Sequence, residues 1–140
     1  MRAAAEKAGS RVVVAAVDVT KTADVDALVA KAVAELGGMH IVVANAGIAR
    51  KVALADLDDA AWNQVLDVDL NGAWRAFRAA LPHMQSAGYG RLIATSSVAG
   101  TVSAWPEHSH YAAAKAGLVG LVKSLAVEFA AEGITANAVA

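Results

Sequence analysis

Ile41-Val42-Val43-Ala44-Asn45-Ala46-Gly47 is a short, wholly apolar run that stops at an amide and a glycine. A strand with no polar face is buried on both sides, as strands of a parallel sheet between helices are, and the sheet's ligands gather where such strands end. Working outward, Val12 to Val19, Arg91-Leu92-Ile93-Ala94-Thr95 and Ile134 to Val139 read as three further strands of similar character. Helical periodicities fill the intervals. Val25, Leu28, Val29, Ala32, Val33 and Leu36 recur on one helical face, with Thr22 as the expected cap, Asp24 in the first turn and Gly37-Gly38 as the stop. A second helical region runs from about Asp58 to Met84, with Trp62, Val65, Leu66, Ala73, Trp74, Phe77 and Leu81 as its buried positions and Gly72 as a break. The third runs from about His110 to Ala131, carries Leu118, Leu121, Val122, Leu125 and Phe129 on its core stripe, and ends at Gly133. Strand, helix, strand in alternation predicts a doubly wound α/β parallel sheet in one domain over residues 1–140.

Composition narrows the function classes. In 140 residues, 57% are hydrophobic and 18% charged, too apolar for disorder. With 12 Lys+Arg against 13 Asp+Glu the formal charge is -1, so no basic field exists to hold nucleic acid or an anionic membrane. No cysteine is present, which removes disulfides, zinc fingers and thiol nucleophiles and fits a reducing cytoplasm. Charges interrupt every apolar stretch before it reaches about 18 residues, so no transmembrane helix is expected. Charges within Met1 to Lys7 likewise leave no readable signal peptide.

The chemistry sits at the predicted strand ends: Asp18-Val19-Thr20, Asn45-Ala46-Gly47 and Ser96-Ser97. Downstream, Tyr111 and Lys115 stand at i and i+4 on one helix face, where an ammonium favours phenolate over phenol and equips Tyr111 as a general acid/base. Glu107, His108 and His110 form too thin a set for a metal site, so none is expected. A Ser/His/Asp hydrolase is disfavoured because no Gly-x-Ser-x-Gly elbow occurs. Trp105 lies in the loop before Tyr111, where lining a substrate pocket and plain packing are both open to it.

Asp18-Val19-Thr20, Ala44-Asn45-Ala46-Gly47, Ser96-Ser97, Tyr111 through Lys115 and Asn137-Ala138-Val139, in this order, resemble the motifs of the short-chain dehydrogenase/reductase family. The resemblance extends over essentially the whole chain, with a weaker similarity to the carveol-type dehydrogenases around His110 to Leu121. It implies a Rossmann-like fold and hydride transfer between NAD or NADP and a small ketone or secondary alcohol, in an enzyme that commonly forms homo-oligomers. By the same resemblance, Ser97 binds the substrate oxygen, Tyr111 exchanges its proton, and Lys115 tunes Tyr111 and holds a ribose hydroxyl. Asp18 and Val19 are implied at the adenine, and Asn45, Ala46 and Gly47 along the cofactor cleft. Asp69 falls where the family places the Asn of its catalytic tetrad; a carboxylate accepts hydrogen bonds where an amide also donates, so the proton relay is expected to be impaired. The glycine-rich pyrophosphate turn has no counterpart, and the chain reads as a domain incomplete at both ends, the segment before Val12 resembling a helix tail. The competing reading is an inactive fragment or scaffold that binds no cofactor. In the family's strand order, 3-2-1-4-5-6-7, the Val12 strand lies roughly 14 Å from the Ile41 strand at about 4.8 Å per step, so it is expected either unpaired or re-paired.

Overall fold

The structure, a computed structural model, describes Lys7 and residues 9–140. The helix tail expected before Val12 lies largely outside the described residues. Strands β1 (Ile41–Ala44), β2 (Gly90–Thr95) and β3 (Ile134–Val139) form one sheet in the order β1-β2-β3, and both pairings are parallel. Val42 stands opposite Leu92 and Leu92 opposite Ala136, which aligns the apolar positions in a row across the sheet. Phe77, Ala80 and Met84 of α3 (Gly72–Ala87) and Leu118, Val122 and Phe129 of α4 (Ser109–Phe129) close over Leu92, Ala94, Ile134 and Ala136 to form the core. Helix α1 (Thr22–Leu36) packs beside α3. Alternate residues along a strand face opposite sides. Ile41 and Val43, between the positions that face the core, are 55% and 58% exposed. The sheet is therefore covered by helices on one face among the described residues.

The Val12–Val19 strand does not form. Of its two expected states, unpaired and re-paired, the segment takes the first: it joins no ladder, and Val14 is 61% exposed. A strand is made by its neighbour, since its backbone groups find partners only across the sheet. Here polar tethers hold the segment instead: Arg11 donates to the carbonyl of Glu35, Lys31 Nζ to that of Val14 at 3.4 Å, and Arg75 to that of Val19 at 3.1 Å.

Helix ends follow the sequence closely, with one correction. Gly37 and Gly133 take the left-handed conformation, at φ 90° and 72°, and stop α1 and the turn after α4. Thr22, expected as a cap, is instead the first helical residue; Lys21 holds the cap position without a side-chain bond, and its N–H donates to the Asp18 carbonyl at 3.0 Å. Asp58 caps α2 (Asp59–Leu66) by accepting from Ala61 N at 2.7 Å. Between α2 and α3 the chain widens into a π-helical turn, Asp67–Asn71, that ends at Gly72. Trp74, read as buried, is 43% exposed, with the Arg78 guanidinium 4.9 Å from its ring centroid.

Candidate active site

Four elements meet above the carboxyl ends of β1 and β2: the loop after β1, the π-helical turn, the loop after β2, and α4. The turn after β2 places the serines. Ser96 is buried and donates to the Lys115 carbonyl at 2.8 Å, which ties the strand end to α4. Ser97 accepts from Ala99 N at 3.1 Å, and this leaves its hydroxyl proton for an outside acceptor. The turn closes at Gly100, whose φ is 87° and where a Cβ would stand 2.2 Å from the Ala112 carbonyl oxygen; no side chain fits there. Ser97 rather than Ser96 is thus the serine free to meet a ligand.

Helix α4 supplies Tyr111 and Lys115. The Lys115 ammonium is buried, donates to the Thr95 carbonyl at 2.9 Å and lies 5.5 Å from the Tyr111 ring centroid. The i, i+4 spacing therefore brings cation and phenol together as expected. Asp69, on the π-helical turn, is buried as well: Oδ1 accepts from Ile48 N at 2.7 Å, and Oδ2 lies 3.4 Å from Lys115 Nζ. Gly47 gives this pair its room, since a Cβ there would be 2.9 Å from Asp69 Oδ2 and 3.3 Å from Lys115 Nζ. Asn45 and Ala46 stand exposed at the lip of an apolar groove that Val19 also lines.

Asp18 belongs to a second cavity, on the other side of the π-helical turn. Its Oδ1 accepts from Thr20 N at 3.0 Å and Thr20 Oγ1 at 2.7 Å. Those side-chain and backbone bonds, helped by Lys21, hold the carboxyl below its ordinary value. Asp18, Thr20, Asn63, Gln64, Asp67 and Asn71 line an open, polar cavity of about 710 Å³. Burial works to raise Asp67, but hydrogen bonds from Arg75 and Asn71 and the Arg75 charge outweigh it, so this carboxyl also lies below its usual value. Sequence reasoning missed Arg75, whose guanidinium joins the Val19 carbonyl to Asp67. An arginine at that distance along the chain carries no local signal.

The loop before Tyr111 is also built with care. Glu107 is the one non-glycine residue with positive φ among the described residues, at 62°. Its carbonyl accepts from Val52 N at 2.9 Å and its carboxylate meets Lys51 at 2.8 Å; that hydrogen bond and charge hold Lys51 above its ordinary value. The clasp sets Trp105 parallel to Tyr111, with centroids 6.2 Å apart and planes at 5°, and His108 edge-on to both. His110, set aside in the sequence as a metal ligand, is fully buried with no hydrogen-bond partner on either ring nitrogen among the described residues.

The whole chain, residues 1–140, matches the short chain dehydrogenase family. This protein belongs to the short-chain dehydrogenase/reductase family. It is 46% identical over 134 residues to the cis-4-hydroxycyclohexanecarboxylate dehydrogenase of Sinomonas cyclohexanicum, covering 95% of this chain and 53% of that one. With the (-)-trans-carveol dehydrogenase of Rhodococcus erythropolis it shares 38% over 133 residues, 94% of this chain and 48% of the other. The structure of a short chain dehydrogenase from Mycobacterium smegmatis superposes with a TM-score of 0.91 at 37% identity, over 98% of this chain and 57% of that one. The chain thus spans about half the length of these short-chain dehydrogenase/reductase relatives, and its parallel α/β sheet is a partial Rossmann fold.

Proposed function

We propose that this chain carries the acid/base centre of a nicotinamide-dependent oxidoreductase that interconverts secondary alcohols and ketones. The observation that carries the reading is the buried Lys115 ammonium, fixed on the Thr95 carbonyl and 5.5 Å from the Tyr111 ring centroid. A cation so placed favours the phenolate, which accepts the alcohol proton in oxidation; in reduction the phenol returns it to the carbonyl oxygen. Ser97, with its hydroxyl proton uncommitted, donates to the same oxygen and holds it near Tyr111.

The residues present fit the adenosine and nicotinamide-ribose ends of a dinucleotide, NAD or NADP. Asp18 and Thr20 border a polar cavity large enough for a base and its ribose, and among the described residues Oδ2 of Asp18 meets only the exposed ammonium of Lys21, at 3.5 Å, leaving lone pairs for an exocyclic amine. Val19 would give the base an apolar neighbour, the exposed Asn45-Ala46-Gly47 loop would border the cofactor, and Lys115 would hold a ribose hydroxyl. When bound, the nicotinamide accepts or supplies the hydride. The parallel Trp105 ring beside Tyr111, and the hydroxycyclohexane ring in the name of one relative, support a ring-bearing secondary alcohol as the first substrate to try. Ala113, Ala116, Gly120 and Val127 lie exposed along α4 and support a homo-oligomer through that helix, and a chain without cysteine fits a reducing cytoplasm.

The test is oxidation of cyclic secondary alcohols with NAD⁺ or NADP⁺ by the full chain, followed through the absorbance of the reduced nicotinamide. Tyr111→Phe is expected to lower turnover about a hundredfold or more with cofactor affinity nearly unchanged. Wild-type turnover in that variant overturns the reading.

A further inference from the structure

Asp69 brings a carboxylate to a position where the family resemblance places an amide. Its Oδ1 takes the Ile48 N–H at 2.7 Å, while Oδ2 faces the Lys115 ammonium at 3.4 Å and has no hydrogen-bond donor among the described residues. Both jobs need an acceptor. An asparagine could still accept from Ile48 N–H through its oxygen, but its neutral NH₂ would offer the ammonium no negative charge. The pair is also walled in. The Lys115 and Asp69 side chains are 5% and 0% exposed, and a Cβ on Gly47 would press on both. Two charges taken this far from water are costly unless their geometry is fixed, and removal of one leaves the other uncompensated.

We propose that Asp69 is a positioning residue: its carboxylate clamps the Lys115 ammonium against the Thr95 carbonyl and sets how much of that positive charge reaches Tyr111. The neutral pair favours the phenolate less than a lone ammonium would. The groups with a side chain against the Tyr111 ring are Lys115, 5.5 Å from its centroid, and His108, edge-on to it; Glu107, beside His108 in the loop, is engaged by Lys51, His110 is the adjacent residue of α4 on its buried side, and Asp69 acts through Lys115. The consequence for turnover rests on the function proposed above, but the clamp is read without it.

The experiment is a spectroscopic titration of the Tyr111 phenol in the full chain, on a Tyr89→Phe background because Tyr89 and Tyr111 are the only two tyrosines. Asp69→Asn removes the negative member of the pair, so phenolate is expected to appear about one pH unit lower, a roughly tenfold higher phenolate fraction at fixed pH, with Asp69→Glu returning the curve toward wild type. Superimposable curves, or a displacement to higher pH, overturn the clamp. Should Asp69→Asn fail to fold, hydrogen exchange at nitrogen-labelled lysine ammonium groups decides on the unmodified chain. Lys115, assigned through Lys115→Met, is expected to exchange at least tenfold more slowly than the other lysines, and equal rates overturn the proposal. If Tyr111→Phe retains turnover while the phenol titration still moves, the oxidoreductase reading fails and the clamp stands; the reverse pattern separates them the other way.

Discussion

The His110 imidazole is fully buried and neither of its nitrogens is paired among the described residues, a placement that costs about 1–3 kcal/mol for each orphaned group. Burial holds its pKa below 6.5; His108 pushes in the same direction and Asp69 in the opposite one. Because the folded value lies below the unfolded one, the unfolded chain binds more protons between the two. Stability is then full above the unfolded value and falls as pH drops below about 6.5 toward the folded value. Urea melts at a series of pH values from neutral downward should show this loss in the wild type and a weaker one in His110→Leu, with neutral-pH stability unchanged or raised. A variant that keeps the full acid loss would assign the effect elsewhere. At Gly100 the sign is opposite: Gly100→Ala places a Cβ at a positive φ and against the Ala112 carbonyl, and should cost more than about 1 kcal/mol. At this scale the placement of Tyr111 and Lys115 on one helix face and of Ser97 after a strand end was legible, because helix spacing and strand ends are local properties. It could not show that Gly47 is shaped around Asp69, which lies 22 residues away and reaches it only through the fold.

Helices α1, α3 and α4 and the strands β1, β2 and β3 were legible because each is written in its own period and several end on a glycine forced to positive φ. The π-helical turn was not. A periodicity near 3.6 runs through Asp58 to Met84, and nothing in residue types marks where one extra residue widens the coil; Gly72 marks only its exit. That turn matters because it divides the site, with Asp67 and Asn71 toward the Asp18 cavity and Asp69 toward Lys115. Arg75 anchors it by donating to the Val19 carbonyl at 3.1 Å and to Asp67 Oδ1 at 2.6 Å. Arg75→Gln should therefore lower stability by about 1–2 kcal/mol, discounted for the partial exposure of Asp67. Asp67 lies below its usual carboxyl value, so the bond contributes above the unfolded pKa of about 3.8 and is lost as pH falls through the folded one. Melts of the wild type and Arg75→Gln should accordingly differ at neutral pH and converge at the acid end. A gap independent of pH would mean that Arg75 acts through packing alone.

Ladder partners and layers belong to the whole molecule, and here composition and strand order spoke differently: Val12–Val19 has the composition of a strand, while the family's strand order left it unpaired or re-paired, and it is unpaired. The outer edge of β1 has no ladder partner among the described residues either. Between that edge, α1 and α3 runs an apolar groove of about 310 Å³, lined by Val25, Val29, Ile41, Val43 and Ala73 among others. Ile41 and Val43 are more than half exposed, so the sheet presents an apolar face and an unpaired edge together, the combination that drives strands of separate molecules to pair. In dilute solution the 140-residue chain should bind a hydrophobic dye and associate as its concentration rises, as measured by sedimentation velocity. Val43→Lys is the discriminating change. An exposed position loses little on substitution, typically within about 0.5 kcal/mol, while a charge on the bare face opposes both dye binding and strand pairing. The variant should therefore melt like the wild type but sediment as a smaller species at the same concentration. Equal association in both would place the contact elsewhere, with the exposed stripe of Ala113, Ala116, Gly120 and Val127 on α4 next to be tested.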